Sequence, residues 1–357
     1  MSNKHYIIPI FVPHKGCPHD CIFCNQKKIT GQIEEVTAKD VKAKIEDYLI
    51  TIPENNSHIE VAFYGGSFTA IPFEYQEQLL KAAFMYVENG YVANIRVSTR
   101  PDCIDARISE NLKRYGVGVV ELGVQSMDET VLKLCNRGHS PEDVVNAVGI
   151  LKEFGFSIGV QMMIGLPGDT EEKAVKTAKS LIELKPDIAR IYPALTIKNT
   201  YMEEMYIRGE YEPLTLDAAV ELSKQLLVLF ESNGIRVIRI GLQPTENINS
   251  GKDIVAGPFH PAMRHLVESL VYRDMIIYLL EKEGKKENIV TLKVNPKNIS
   301  ELIGHKRSNI NFIKSKFLID KFEILQDKSV EADTLVLKIG TKTIIVSKND
   351  YYSILPK

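Results

Sequence analysis

Tyr6-Ile7-Ile8-Pro9-Ile10-Phe11-Val12 leads, four residues later, into Cys17-Pro18-His19-Asp20-Cys21-Ile22-Phe23-Cys24. The first segment is apolar and β-branched enough to be a buried strand. The second puts three thiols on the loop that leaves it. Moving outward, the strand signature returns at Ile59–Tyr64, Asn94–Thr99, Val117–Gly123, Ser157–Ile164 and Asp187–Tyr192, with amphipathic stretches between. That alternation predicts parallel strands joined by crossover helices, an α/β chain. One helix is marked at both levels. Val144, Val145, Val148 and Leu151 recur at helical spacing, and Ser140-Pro141-Glu142-Asp143 supplies a cap, a first-turn proline and acidic residues for the helix dipole. Six strand-helix units fit either a doubly wound sheet or a partial barrel, and periodicity does not choose between them.

A further helix (Leu216–Glu231) and strand (Ile235–Ile240) follow. Gly257-Pro258-Phe259-His260-Pro261 then introduces a helical stretch to about Glu283, and Gly284-Lys285-Lys286-Glu287-Asn288 reads as a linker. The expected regions are therefore a barrel or sheet over 1–245, a helical extension over 246–283 and a small α+β domain over 284–357. The last region has 14 Lys or Arg against 8 Asp or Glu, a net of +6 that leaves −8 for the rest. It is a basic module.

The whole chain has 357 residues, 44 Lys plus Arg against 46 Asp plus Glu, and 44% hydrophobic residues. This excludes disorder and fibre. No apolar run approaches the roughly 20 residues of a membrane helix, and Met-Ser-Asn-Lys-His-Tyr lacks the pattern of a secretory signal. A cytoplasmic protein with no membrane partner is expected. Five cysteines are too few and too uneven for a disulfide framework, so the clustered three are candidate ligands. Three thiolates can hold three irons of a four-iron cluster and leave the fourth iron open. A structural zinc site with His19 as fourth ligand is the alternative, although zinc ligands more often come from two separated knuckles.

Cys17, Cys21 and Cys24, with aromatic Phe23 before the third cysteine, resemble the signature of radical S-adenosylmethionine enzymes. The resemblance implies a partial (β/α)6 barrel of TIM type, a [4Fe–4S] cluster and S-adenosylmethionine (SAM), reduced by an external donor such as flavodoxin or ferredoxin to give a 5′-deoxyadenosyl radical. Tyr64-Gly65-Gly66-Ser67-Phe68 corresponds to the family's glycine pair at the methionine end of the cofactor. The likeness continues through Ser98-Thr99-Arg100-Pro101-Asp102, Glu121–Ser126, Asn136-Arg137 and Gln161–Gly168. These stretches resemble the Elongator catalytic subunit and oxygen-independent coproporphyrinogen dehydrogenases. By that likeness Phe23, Gly65, Gly66, Ser67 and Ser98 belong to the cofactor site. Gln125 and Gln161 would meet its ribose or methionine portion, Arg137 its carboxylate and Ala194 its adenine. For each polar residue the plain reading is a helix cap or a core hydrogen bond. Arg137 resists that reading best, because a guanidinium fork suits a carboxylate.

Cys103 and Cys135 stand alone, so a second cluster is not expected. No acetyl-transferase domain of more than about 100 residues fits after the barrel, so an acetyl-coenzyme A reaction is not expected either. In the tail, Ile299–Ile313 reads as helix, turn, helix, with strands at Thr291–Val294, Phe322–Leu325, Leu335–Ile339 and Thr343–Val346. This resembles a KH domain, whose glycine-rich loop clamps single-stranded nucleic acid. Gly304, His305, Lys306 and Arg307 would form the loop, with Arg307 where a second glycine is usual and the two cations gripping phosphate. The leading expectation is a radical enzyme modifying a nucleotide of structured RNA, tRNA or rRNA, with no DNA partner. Alternatives are oxidation of a tetrapyrrole or other small molecule, and a non-catalytic cluster-bearing RNA-binding protein or haem carrier.

Overall fold

The computed structural model describes residues 4–12, 19–25, 35–53, 57–242, 252–283 and 289–355. In chain order the elements are β1 (Lys4–Val12), α1 (Ala38–Thr51), β2 (Ser57–Gly65), α2 (Phe73–Glu88), β3 (Asn94–Thr99), α3 (Ala106–Arg114), β4 (Val117–Gln125), α4 (Glu129–Leu134), α5 (Pro141–Glu153), β5 (Ser157–Ile164), α6 (Glu171–Glu183) and β6 (Ile188–Pro193). After these come β7 (Thr196–Ile197), α7 (Tyr201–Ile207), α8 (Leu216–Glu231), β8 (Arg236–Ile240), β9 (Ile254–Ala256) and α9 (Met263–Glu283). The tail holds β10 (Ile289–Val294), α10 (Ile299–Ile303), α11 (Ser308–Phe317), β11 (Lys321–Gln326), β12 (Thr334–Ile339), β13 (Lys342–Ser347) and α12 (Lys348–Ile354).

A seven-stranded sheet runs β1-β2-β3-β4-β5-β6-β8, parallel through β6, and curls as an opened barrel. The expected partial barrel is the observed fold. Alternation within each strand explains its two faces. Ile8, Ile10, Val61, Phe63, Ile95, Val97, Val120, Leu122, Val160 and Met162 are buried. Interleaved with them, the opposite face carries Glu60, Arg96, Glu121, Gln125, Gln161 and Arg190. The helices begin where the chain supplies acceptors for their unpaired amides. Thr37 opens α1 and Ser140 opens α5 with reciprocal capping boxes, while Asp105, Asp128 and Thr170 cap α3, α4 and α6.

The chain forms two compact units. One comprises Met1–Thr215, Ile235–Ile238 and Leu242–Phe259, the other Leu216–Gly234, Arg239–Gly241 and His260–Lys357. The sequence suggests boundaries near 245 and 283, whereas α8 and α9 belong with the tail. Their buried Leu226, Leu227, Phe230, Val271, Met275 and Leu279 provide an apolar surface that the short tail helices lack alone. The tail sheet has the order β11-β10-β12-β13, with β10 parallel to β11 and antiparallel to β12. Asn309, at the start of α11, is 1% exposed. Its Nδ2 donates to the Ser269 carbonyl at 2.7 Å, the Ser269 hydroxyl at 3.0 Å and the carbonyls of Glu301 and Leu302 at 3.1 and 3.2 Å.

Candidate functional site

The strand ends of the parallel sheet carry the cysteine loop. Cys17 lies outside the described residues, and Cys21 and Cys24 lie within them. A tight turn joins the two, Cys24 N donating to the Cys21 carbonyl at 3.0 Å. Bonds from several elements then pin the loop to the rest of the unit. Ile22 N donates to the Cys135 carbonyl at 3.2 Å, the Ile22 carbonyl accepts from Met202 N at 2.9 Å, and Asn136 Nδ2 donates to the Asp20 carbonyl at 2.9 Å. Beneath the loop, Ile22 packs with Val131, Cys135, Leu166 and Ala194, and half-buried Phe23 lies against that cluster. His19, the candidate fourth zinc ligand, lies against Gly138, where a Cβ would fall 2.1 Å from its ring. Gly138 has φ +78, so both its torsion and this close approach require glycine.

Arg137 links the loop to the sheet. It is 7% exposed; one terminal nitrogen donates to the Gly123 carbonyl and the other approaches Cys21 Sγ at 3.4 Å. Its Nε–H is buried with no acceptor among the described residues. An orphaned cationic donor beside a thiol costs free energy unless an anion meets it, so the residues fit a carboxylate-bearing ligand here. Arg100, a residue to which the sequence gives no role, holds Arg137 in place. Its side chain is 2% exposed, makes two 2.9 Å bonds to Asp102 and donates to the Arg137 carbonyl at 2.6 Å. His139 completes this corner, hydrogen-bonded to the Val124 carbonyl at 3.1 Å. Burial, helped by Arg137 and Arg100, pushes its pKa down to about 3, so it is neutral.

The other candidates surround the same strand ends. Gly65 has φ +111, and a Cβ there would meet the Val12 carbonyl oxygen at 2.2 Å. Glycine is therefore required by the packing of β2 on β1, with or without a ligand. Gly66 follows it, half-buried. Ser67 is buried, and its hydroxyl bonds Thr99 Oγ1 at 2.8 Å and accepts from Arg100 N at 3.1 Å. That hydroxyl is committed to the fold. Ser98 is half-buried on β3. Gln125 sits at a register irregularity at the end of β4 with φ 68, a left-handed torsion that a non-glycine residue adopts at a cost, and Gln161 Nε2 reaches its Oε1 at 3.4 Å. Ala194 is buried beside Ile22.

A charged ladder on the polar face is invisible to spacing arguments. Arg96 bonds Glu60 at 2.6 Å and Glu121 at 2.9 Å, and Glu121 also binds Arg190, whose guanidinium reaches the Tyr64 and Tyr192 hydroxyls at 3.2 and 3.3 Å. Burial opposes ionisation, but Arg96 and Asn94 still hold Glu60 below the usual carboxylate range. The surroundings of Cys103 and Cys135 disfavour their thiolates. Burial, then the neighbouring Cys21, pushes the Cys135 thiol up to about 12, and burial with nearby Asp102 raises Cys103.

In the other unit, Gly304, His305, Lys306 and Arg307 form the turn between α10 and α11. Gly304, Lys306 and Arg307 have φ of 78, 50 and 65, and the last three residues are exposed. A Cβ on Gly304 would lie 2.6 Å from Ser308 Oγ. The His305 ring meets His260 edge-on at 6.3 Å.

Comparison with known proteins gives these features a context. Residues 11–181 match the family model described as the radical SAM superfamily, and residues 186–273 match the radical SAM C-terminal domain. An uncharacterized protein of Methanocaldococcus jannaschii is 30% identical over 231 residues, 62% of this chain and 70% of its own length. The tRNA uridine(34) acetyltransferase of the same organism is 31% identical over 258 residues, 60% of this chain and 47% of its own. The chain thus spans about half the length of the acetyltransferases it matches. Among solved structures, the Methanocaldococcus infernus Elp3 lacking its N-terminus shares the fold with TM-score 0.59 and 24% identity, over 80% of this chain and 65% of that one. The cysteine loop, the strand-end geometry and the two matched family models agree, and the chain belongs to the radical SAM superfamily of enzymes.

Proposed function

We propose that this enzyme modifies a nucleotide of tRNA, using the parallel sheet for radical chemistry and the basic tail to hold the RNA. In the superfamily the resident group is a [4Fe–4S] cluster with S-adenosylmethionine, which supplies one-electron reductive cleavage and hence radical chemistry. Cys17, Cys21 and Cys24 would hold the iron. Arg137 would take the SAM carboxylate on its Nε–H, which has no acceptor among the described residues, with Arg100 fixing its backbone. Phe23, Gly65, Gly66, Ser67, Ser98, Gln125, Gln161 and Ala194 would line the remainder, Ser67 through its backbone. Packing of Ile22 and Phe23 on the strand ends helps to exclude water from that corner.

The observation that favours RNA is the tail turn. Lys306 and Arg307 hold left-handed torsions, exposed at the head of a helix, where two cations can meet phosphates, as in a KH-like clamp. The names of the tRNA-modifying relatives support the same substrate class. The decisive experiment is mass spectrometry of nucleosides digested from tRNA and rRNA of cells with and without the gene. One modified tRNA nucleoside should disappear on deletion. In vitro, changing Lys306 and Arg307 to Glu should weaken tRNA binding and reduce the slope of log affinity against log salt by about 1.5–2, while SAM cleavage without RNA persists. An unchanged nucleoside profile with altered tetrapyrroles would overturn the reading.

A further inference from the structure

The first two strands carry a cluster of metal-ligating side chains far from the cysteine loop. β1 and β2 are parallel and pair His5 with His58 directly. Glu60 follows His58 by two residues, so alternation brings it to the same face. The outcome is a compact donor set. His5 Nε2 lies 3.0 Å from Glu60 Oε2, His58 Nε2 lies 3.4 Å from Glu60 Oε1, and the three ligand atoms are all within 4.8 Å of one another. His5 stands seven residues before Val12, which separates the cluster from the strand end that feeds the cysteines by about 23 Å.

From this juxtaposition we propose that His5, His58 and Glu60 form a site for a divalent transition ion of the zinc class, clasping edge strand β1 to β2. Bonds of about 2.0–2.2 Å in a tetrahedral arrangement set ligand atoms roughly 3.3–3.6 Å apart. The two nitrogen–oxygen separations here are of that order but fall on different carboxylate oxygens, so an ion would take one oxygen and the imidazole on the other would turn toward it. The carboxylate is buried and the imidazoles are half-exposed, at 5%, 41% and 45%. An ion would therefore enter from solvent, and the remaining edge closes by imidazole rotation. Two outer partners orient the carboxylate, as is common around metal ligands. Arg96 donates to Oε2 through Nε at 3.1 Å and Nη2 at 2.6 Å, and Asn94 Nδ2 donates to Oε1 at 3.1 Å. Arg96 also bonds Glu121 at 2.9 Å, so its charge is shared between the two carboxylates. Two imidazoles and a carboxylate suit zinc or cobalt(II) and leave one position for water. The competing account is two imidazoles hydrogen-bonded to Glu60 without an ion.

The test uses untagged full-length protein with its iron reconstituted anaerobically, so that the cysteines are occupied. After equilibration with zinc and dialysis, about one zinc per chain should remain beyond the iron. His5→Ala with His58→Ala should remove that zinc and leave the iron content unchanged. Asn94→Ala should weaken zinc at least tenfold in competition with a chromophoric chelator. Cobalt(II) in the wild-type protein should give ligand-field bands without thiolate charge transfer, a readout that does not depend on any variant folding. Zinc retained by the double histidine variant, zinc lost when Cys17, Cys21 and Cys24 become Ser, thiolate bands with cobalt, or no zinc above background would each overturn the site.

Discussion

Gln125 and Arg307 share a left-handed backbone, φ 68 and 65, but not an environment. Gln125 is 5% exposed at a register break in the large sheet. Arg307 is exposed beside Lys306 on a turn of the tail. At Gln125 the surroundings hold the torsion: strand pairing to Met162, Gln161 on its amide, Arg137 on the nearby Gly123 carbonyl. At Arg307 the turn itself holds the torsion, its amide bonded to the Gly304 carbonyl at 3.0 Å ahead of the packed start of α11. A strained residue fixed by its neighbours preorganises a site. A strained residue that is exposed keeps a side chain pointed where solvent, or a ligand, can reach it.

The contrast breaks most severely at Arg100. Arg100→Ala leaves Asp102 without its partner and the Arg137 carbonyl without a donor, at a cost of about 3 kcal/mol in urea unfolding. SAM binding should weaken with it. If Arg100→Ala unfolds at the wild-type midpoint, the corner is not held as described.

Next in size is Arg137→Ala, which should weaken SAM between tenfold and a hundredfold by calorimetry while the cluster absorbance remains, since a charge-assisted bond contributes about 1.5–3 kcal/mol. Arg137→Lys should recover only part, because the fork is lost. Unchanged SAM affinity in the alanine variant would remove Arg137 from the site.

The smallest effects test the comparison itself, because the same substitution should act with opposite sign at its two poles. Glycine relieves about 1–2 kcal/mol of left-handed strain but carries about 0.5–1 kcal/mol of extra unfolded-state entropy. Arg307→Gly should therefore stabilise by about 0.5 kcal/mol. Gln125→Gly gains the same amount and loses two buried methylenes and a hydrogen bond, a net loss of about 2 kcal/mol. Equal shifts in the two melting temperatures would show that the environments do not differ in the way described.

The local signals in the sequence were strong where one physical demand dominates. Asn94–Thr99, Ser157–Ile164 and Leu216–Glu231 have the limits that composition suggests, and Ser140 opens α5 with the expected cap. The two-residue strand β7 and its partner β9 are too short to carry a period. The helix α12 has a capping box at Ser347 and Asp350 that the preceding strand pattern obscures. Charges inside strands were the larger gap. Arg96 and Glu121 are buried, and Arg190 half-buried, because each finds its partner on a different strand, and sequence spacing carries no trace of such pairing. The candidate site shows the same division. Motif residues are recognisable by type, whereas the role of Arg100 in holding Arg137 depends on a bond across 37 residues. The assignment of α8 and α9 to the tail depends likewise on surfaces that must be covered, not on linker composition.

The Asn309 amide has one further consequence. Two hydrogens on Nδ2 serve four oxygens, so the group acts purely as a donor toward an acceptor-lined recess formed by Ser269, Glu301 and Leu302. No residue one turn away on α11 can take its place: His305 stands outside the helix and Ile313 has nothing to donate. The amide is thus a key with a single lock position, and α11 cannot slide along α9 without breaking all four contacts. Asn309→Asp would keep every atom's size and reverse the polarity of the key. The turn from Gly304 to Arg307 would then lose its fixed address on the long helix, although none of its own residues had changed.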